Sequence, residues 1–118
     1  MSRRIVARFD DRTRIVRISN EKESRYELLS RGGKFIGGVC TYDNGAIHID
    51  QLFVEPDYWR RGYATRLMNQ VLEIKTSRFT LDVVWDNEPA LALYHKLGFK
   101  CTTEHEDSDG LFLMEKKV

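Results

Sequence analysis

The amino-acid sequence predicts one domain of the α/β (α+β) class, in which a mostly antiparallel sheet carries two main helices. Three observations predict this class. Apolar and polar residues alternate along several short segments, as they do in half-buried strands. Gly32-Gly33 and Asp43-Asn44-Gly45 lie between such segments and are typical of hairpin turns. Two later segments carry apolar residues at helical spacing, and a chain of 118 residues suits one domain.

Five strands are predicted before the first helix. They cover residues 5–9, 14–18, 25–30, 34–42 and 46–54, with a turn at residues 10–13 between the first two. Hairpin turns join the last three of these strands directly, so we expect them to be antiparallel neighbours in one sheet.

The first helix follows from an apolar stripe with the i, i+3, i+4, i+7, i+8 spacing of an amphipathic helix. The stripe consists of Ala64, Leu67, Met68, Val71 and Leu72. We expect this helix to end near Thr76-Ser77.

The rest of the chain predicts one more helix between strands. A strand is expected at residues 79–85. Asn87 then offers an N-cap with Pro89 in the first turn, and Gly98 is the expected C-terminal glycine of the helix. Two further strands form a closing hairpin around the loop at residues 106–110, and they cover residues 99–103 and 111–115.

Composition and charge exclude several classes of protein. A net charge of +1 offers no support for bulk binding to nucleic acid or to a membrane surface. No segment approaches the ~20 apolar residues of a membrane span, and the N-terminus lacks the apolar stretch of a signal peptide. Cys40 and Cys101 match no metal-ligand spacing, so we expect two reduced thiols, no metal site and a cytoplasmic protein.

We expect a phosphate site where the strand at residues 46–54 leads into the first helix. The start of a helix leaves main-chain N–H groups without partners and carries a partial positive charge, so anions bind there. Gly62 lets the backbone approach a ligand closely, and Ala64 keeps the first turn slim. Arg60 and Arg61 add cations suited to phosphate. The same residues also fit a solvated turn, and this pattern alone leaves both interpretations open.

This segment resembles motif A of the GNAT superfamily of N-acetyltransferases. That motif is a strand ending in L-x-V, a proline-bearing loop, and [QR]-x-x-G-x-[GA] at the start of a long helix. Leu52 and Val54 match the strand end, and Pro56 matches the loop. Gly62 and Ala64 match the last two positions of the motif.

Trp59 departs from motif A, because it stands where Gln or Arg is expected. The resulting YW-x-x-G-YA-T form resembles the branch that includes ribosomal-protein N-terminal acetyltransferases. Residues 87–99 are in turn similar to motif B of the family, N-x-x-A-x-x-L-Y-x-x-x-G-F, and they agree at every marked position. The two motifs stand in the family's order and spacing.

The resemblance implies a GNAT-like sheet with a central splay and acetyl-CoA as the acyl donor. The strand ending at Val54 should diverge from the strand at residues 79–85, and the acyl-pantetheine arm should lie in the gap. Main-chain groups near Phe53 and Val54 should pair with the arm, while amides from Arg60 through Thr65 should take the pyrophosphate. The candidate cofactor-binding residues are therefore Phe53, Val54, Trp59, Arg60, Arg61, Gly62, Tyr63, Ala64, Thr65 and Asn87.

Three of these residues have a structural alternative. Asn87 contacts the arm by resemblance, and by pattern it caps the second helix. The Thr65 hydroxyl either meets a phosphate or only lies in the first helical turn. Tyr63 is expected to pack more than to bind.

Acetylation of an amine needs a base for the nitrogen, and an acid for the departing thiolate. Resemblance places Tyr94 beside the sulfur, and a phenol keeps its proton at neutral pH and donates it. Asp82 is the first candidate for the base, followed by His48 and Asp50 on the strand that enters motif A. A water chain without a dedicated base is the remaining possibility.

The acceptor follows from what the sequence lacks. GNAT proteins usually carry two helices between their first and second strands, and we find no such helices in residues 10–24. An open acceptor side suits a protein or peptide better than a small amine, unless a homodimer supplies the missing wall. Two rival functions stand beside the enzyme: a non-catalytic acyl-CoA-binding regulatory module, and an interaction protein in which Trp59 fills the phosphate site.

Overall fold

The computed structural model describes residues 2–10 and 12–118 of the chain. Met1 and Asp11 lie outside the described residues, and with Asp11 so does part of the turn predicted at residues 10–13. The elements in chain order are β1 (Ser2–Asp10), β2 (Thr13–Ser19), β3 (Glu23–Ser30), β4 (Phe35–Asp43), β5 (Ile47–Val54), α1 (Tyr63–Val71), β6 (Arg78–Val84), α2 (Glu88–Lys96), β7 (Lys100–Cys101) and β8 (Leu111–Lys117).

The eight strands form one sheet in the order β1-β2-β3-β4-β5-β6-β8-β7. Neighbouring strands are antiparallel except β5 and β6, which are parallel. This confirms the predicted class, a mostly antiparallel sheet with two helices. Among the described residues no helix lies between β1 and β5, so the two helices usual in GNAT proteins are missing from that part of the chain. Neither described helix is long and apolar enough to cross a membrane.

The sheet splays open between β5 and β6. The two strands pair only at their starts, and their register ends with Ile49 opposite Leu81. Immediately afterwards the register of β5 against β4 shifts, and Gln51 has a φ of 55°. A bulge of this kind bends and twists its strand. As a result β5 turns away from β6 while it stays paired with β4.

The hydrophobic core covers one face of the sheet. Its buried members are Ile15, Tyr26, Leu28, Ile36, Val39, Ile47, Ile49, Leu67, Met68, Val71, Phe79, Leu81, Val83, Tyr94, Phe99 and Met114. Buried side chains of α1 and α2 belong to this one cluster, so both helices lie on the same face. Successive strand residues point to opposite faces. The other face, here called the open face, therefore carries Arg25, Cys40, His48, Asp50, Thr80 and Asp82.

Helix α1 is shorter than predicted. It ends at Val71, and the prediction of an end near Thr76-Ser77 is wrong. Beyond it, Ile74 N donates to Val71 O (3.0 Å), so a tighter turn replaces the helical ladder. The Thr76 hydroxyl then donates to the main-chain oxygen of Arg78 at the start of β6 (3.2 Å). Such side-chain bonds to the backbone compete with helical hydrogen bonds.

The closing hairpin has different bounds from those predicted. Strand β7 covers only Lys100–Cys101 instead of residues 99–103, whereas β8 continues to Lys117. The loop between them is held internally, because Asp107 Oδ1 accepts from the main-chain N–H of Leu111 (3.0 Å). A loop closed by its own side chain leaves fewer residues free to extend the ladder.

Candidate active site

The residues that lead into α1 form a loop with unpartnered main-chain N–H groups. The first helical hydrogen bond runs from Arg66 N to Gly62 O (3.1 Å). The N–H groups of residues 60–65 make no main-chain hydrogen bond with any described residue. Gly62 has a φ of 79°, a left-handed conformation that glycine adopts without strain. Ala64 and Thr65 are half-buried in the first turn. A row of free N–H groups at a helix start is suited to an anion such as a diphosphate.

Several side chains of this loop pack against one another. The Arg61 guanidinium lies over the ring of Tyr58, 5.3 Å from its centroid. The Tyr58 and Tyr63 rings are 6.2 Å apart, and Tyr63 packs against the core. Arg60 is exposed and has a φ of 64°, which is uncommon for a residue with a side chain. Two cationic side chains therefore lie beside the free N–H groups, one of them held by an aromatic ring.

Trp59 contacts the end of β5. Its indole Nε1 donates to Val54 O at 2.7 Å, and the side chain is 61% exposed. Glu55 N donates to Ile36 O on β4 (2.8 Å). The carbonyl of Val54 belongs to the same peptide unit as this N–H group and therefore points away from β4. Main-chain groups alternate in direction along a strand, so those of Val54 face the gap between β5 and β6.

Phe53 is oriented the other way. Because main-chain groups alternate in direction along a strand, those of Phe53, which lies opposite Gly38, face β4 instead of the gap. Its ring stacks on Phe35, with the centroids 6.5 Å apart and the planes 15° from parallel. Of the two residues predicted to pair with the pantetheine arm, Val54 is therefore the one whose main chain faces the gap.

The gap between β5 and β6 contains a cavity of about 200 Å³. It is lined by residues 49–52 of β5, residues 81–84 of β6, and Asn87, Ala90 and Tyr94. Apolar side chains alternate there with the carboxylates of Asp50 and Asp82. This is a slot with an apolar side and a charged side, between strands whose facing main-chain edges are unpaired beyond Ile49.

Helix α2 brings two predicted residues to this cavity. Asn87 caps the helix through its Oδ1, which accepts from Ala90 N (3.3 Å), as its position in the sequence predicts. Tyr94 is 8% exposed and packs edge-to-face against Phe99, with ring centroids 6.0 Å apart. Burial raises the pKa of the Tyr94 phenol above its ordinary value, so the hydroxyl keeps its proton at neutral pH.

The candidate bases lie on the open face, close to where β5 and β6 stop pairing and the gap begins. His48 Nδ1 is 2.8 Å from Thr80 Oγ1, and His48 Nε2 is 3.6 Å from Asp82 Oδ2. The structure thus brings His48 and Asp82 together across the parallel strands. Asp50, two residues along β5, is exposed and forms no ion pair with a described residue.

A second and larger cavity lies on the open face. Its volume is about 520 Å³, and its lining residues are Ile18, Ser19, Asn20, Glu23, Ser24, Arg25, Cys40, Thr41, Tyr42, Asn44, His48, Asp50 and Gln51. Asp50 and Gln51 line both cavities, so the two meet at the bulge of β5. His48 lines the larger one and Asp82 the smaller one. The His48–Asp82 pair therefore spans the boundary between them.

Both cysteines are free thiols. Cys40 is half-buried on the open face, and burial raises the pKa of its thiol, which makes the reactive thiolate less abundant. Within residues 2–10 and 12–118, no group of three or more His, Cys, Asp or Glu side chains is placed to hold a metal ion.

Sequence reasoning missed two residues of this region. Gln51 makes the bulge that opens the gap, and nothing in the alternation of β5 marks it. Thr80 contacts His48, although the two residues are 32 positions apart. The sequence offers only an indirect signal for Gln51 and Thr80: each is next to an apolar residue that packs in the core, which places a strand residue on the opposite face.

Comparison with known proteins agrees with this geometry. The model of the acetyltransferase (GNAT) family matches residues 4–99. No curated protein sequence gives a significant match. Among solved structures, the chain is similar to the ribosomal-protein-S18-alanine N-acetyltransferase from Escherichia coli, with a TM-score of 0.72 and 23% identity over 85% of this chain and 72% of that one.

Two further structures are similar over most of this chain. The PaiA N-acetyltransferase from Thermoplasma acidophilum, solved in complex with coenzyme A, has a TM-score of 0.73 and 22% identity over 82% of this chain and 62% of that one. Arabidopsis thaliana NAA60, in complex with a bisubstrate analogue, has a TM-score of 0.71 and 18% identity over 84% of this chain and 77% of that one. At these identities the likeness concerns the fold.

The mixed sheet, its opening between β5 and β6 and the two helices on one face define a domain with the acetyltransferase (GNAT) fold. Because the family model spans most of the chain, the protein belongs to the acetyltransferase (GNAT) family.

Proposed function

We propose that this protein transfers an acetyl group from acetyl-CoA to a primary amine on a protein or peptide, in one direct step. The observation that supports this most strongly is the succession of three features along the chain. An opened strand edge ends at Val54, free N–H groups follow at residues 60–65, and Tyr94 lines the gap beside that edge.

The proposed donor site uses each of these features. The diphosphate of acetyl-CoA binds the N–H groups of residues 60–65, with Arg60 and Arg61 adding positive charge and the Thr65 hydroxyl a further donor. The pantetheine arm lies in the gap, where Val54 offers main-chain groups and Asn87 a side-chain amide. The thioester then lies near Tyr94, whose burial keeps its hydroxyl protonated.

The proposed chemistry removes two protons from the nitrogen. An ammonium loses the first proton before its nitrogen attacks the thioester carbonyl, and we assign this proton to His48 Nε2. The geometry favours His48 over Asp82 as the base, because Asp82 lies 3.6 Å away and stabilises the imidazolium. The second proton leaves the nitrogen as the C–S bond breaks. Tyr94 donates to the departing thiolate and is reprotonated, so each acetyl transfer releases one proton to solvent.

The acceptor is assigned to the open face. The 520 Å³ cavity meets the thioester gap at Asp50, whose exposed carboxylate attracts an ammonium group. Neither helix covers this face, which leaves room for a protein surface or a peptide. A small enclosed amine would instead need a second copy of the chain over the open face. We place the reaction in the cytoplasm, where free thiols such as Cys40 and Cys101 persist.

The test is a search for product. The purified protein is incubated with acetyl-CoA and pools of peptides, proteins and small amines, and acetylated products are identified by mass spectrometry. We expect an acetylated peptide or protein amine with the wild-type protein, and a much slower reaction with the His48→Gln variant. The control is the His105→Gln variant, which makes the same substitution at an exposed histidine between β7 and β8, outside both cavities.

Two results would favour other functions. Protection by acetyl-CoA against thermal unfolding without product from any pool would indicate a non-catalytic acyl-CoA-binding module. No protection by either CoA or acetyl-CoA would indicate an interaction protein that keeps the fold. Detection of products only among small amines, from a dimeric protein, would contradict the proposed acceptor class.

A further inference from the structure

Thr80 and His48 face each other across the parallel pair of strands. They are direct partners in the register of β5 and β6, and Thr80 Oγ1 lies 2.8 Å from His48 Nδ1. The strand residues on either side of each point into the core, so both side chains point to the open face. The contact is part-buried and has the length of a true hydrogen bond.

The other ring nitrogen of His48 is not held in the same way. His48 Nε2 is 3.6 Å from Asp82 Oδ2, which is too far for a hydrogen bond. The Asp82 side chain is 46% exposed, so water solvates its carboxylate. A neutral imidazole carries one proton, and the hydrogen bond at one nitrogen decides which nitrogen has it. In this site that hydrogen bond is the one to Thr80, whose hydroxyl is able either to accept from Nδ1–H or to donate to a bare Nδ1.

We propose that Thr80 is a positioning residue that accepts a hydrogen bond from His48 Nδ1–H and thereby leaves the Nε2 lone pair free to take a proton from the acceptor amine. This inference rests on the proposed acetyl transfer. The threonine oxygen has two lone pairs for the Nδ1–H bond, and its own hydrogen remains free to rotate. The ring is then fixed at the boundary of the two cavities, with Nε2 on the side of Asp82.

The proton balance of this step is simple. His48 Nε2 forms a bond to one proton of the acceptor ammonium, and the nitrogen retains the electron pair with which it attacks the thioester. The imidazolium then donates through Nδ1 to Thr80 and lies beside the carboxylate of Asp82. Without the hydroxyl the ring samples both tautomers, and in one of them Nε2 already carries a proton and cannot act as a base.

The tautomer can be observed directly by NMR of the protein labelled with ¹⁵N at histidine. The chain has three histidines, and the His48 signals are those missing from the His48→Gln variant. For the neutral wild-type ring we expect the proton on Nδ1. We expect a mixture of tautomers in Thr80→Val, which keeps the shape of the side chain and removes its oxygen, and the wild-type tautomer in Thr80→Ser.

Kinetics with acetyl-CoA and the acceptor provide the second measurement. For Thr80→Val we expect kcat to fall roughly tenfold, as for the loss of one positioning hydrogen bond, with KM for both substrates nearly unchanged. Thr80→Ser should restore kcat to within about twofold. The matched control is Thr102→Val, which also removes a threonine hydroxyl from a hydrogen bond. Thr102 directly follows β7, the edge strand of the sheet, and so lies away from β5 and β6.

The outcomes separate this inference from the proposed function. A wild-type protein with the proton on Nε2, or an active wild-type protein whose Thr80→Val variant keeps full kcat, overturns the role of Thr80 and leaves acetyl transfer intact. A wild-type protein that yields no product from any pool overturns the proposed function and the inference with it. If Thr80→Val does not fold, the wild-type spectrum and Thr80→Ser still decide the tautomer.

Discussion

The indole of Trp59 donates a hydrogen bond to the main-chain oxygen of Val54, with Nε1 and O 2.7 Å apart. That oxygen belongs to the strand edge that faces the gap between β5 and β6. In the proposed complex the pantetheine arm pairs with the same edge, so the indole and the arm compete for one acceptor. In that complex, the residue that departs from motif A would oppose binding of the donor.

We therefore expect Trp59→Phe to bind CoA more tightly than the wild-type protein. The variant keeps an aromatic ring and removes the N–H group, and since Trp59 is 61% exposed it loses little packing. One hydrogen bond contributes about 0.5–1.5 kcal/mol, which corresponds to a roughly two- to tenfold lower Kd. Isothermal titration measures it, with Trp85→Phe as the control tryptophan. Weaker binding would show that the indole supports the loop instead.

Tyr94→Phe tests the proposed acid. The ring of Tyr94 is buried and packs on Phe99, and phenylalanine preserves this contact. We expect kcat to fall roughly 10²-fold, as is typical for loss of a general acid, while the Kd for CoA stays unchanged. Steady-state kinetics and titration separate the two quantities. An unchanged kcat would assign Tyr94 to the core alone.

Gly62→Ala tests the phosphate loop. The φ of 79° strains any residue with a Cβ by about 1–2 kcal/mol, which disturbs the loop that carries the free N–H groups even though the new methyl group would lie in open space. We expect weaker CoA binding together with lower stability. Gly45→Ala is the matched control, because Gly45 has a φ of 103° and equally open surroundings in a hairpin turn. Equal affinity for CoA in the two variants would contradict the proposed site.

The stability of the protein should fall at alkaline pH. Burial raises the pKa of the phenols of Tyr26 and Tyr94 above the ordinary value near ~10. Above that value the unfolded chain loses these protons first and binds fewer protons than the folded protein, so the free energy of unfolding decreases as pH rises. Below about pH 9 the contribution of both phenols is fully present.

Urea unfolding at about pH 8 and about pH 10.5 measures this decrease. Tyr26→Phe removes one of the two phenols, and its stability should depend less steeply on pH than that of the wild-type protein. Tyr42→Phe, which removes an exposed phenol, is the control. Parallel curves for wild type and Tyr26→Phe would contradict the assignment.

Most of the fold could be predicted because it depends on local patterns. Alternating residues gave the strands, Asn87 gave the cap of α2, and glycine-containing turns gave the hairpins. The end of α1 was misplaced because Ile74 continues the apolar spacing while its backbone leaves the helix. Periodicity indicates which side chains face the core, and here Ile74 reaches the core from a turn instead of from the helix.

The site was less accessible from the sequence because it depends on contacts between distant segments. His48 and Asp82 were each candidates for the base, but their pairing needs the parallel register of β5 and β6. Thr80 has no property in the sequence that distinguishes it from other strand threonines. The hydrogen bond of Trp59 depends on the direction of one carbonyl, which only the path of the backbone determines.

The crystal structure of the protein grown with acetyl-CoA tests the central claim most directly. We predict the diphosphate within hydrogen-bond distance of the main-chain nitrogens of residues 60–65, the arm between β5 and β6, the sulfur beside Tyr94 and the Trp59 indole displaced from Val54. A complex in which the donor binds elsewhere, with the indole still on Val54 and the gap empty, would contradict it.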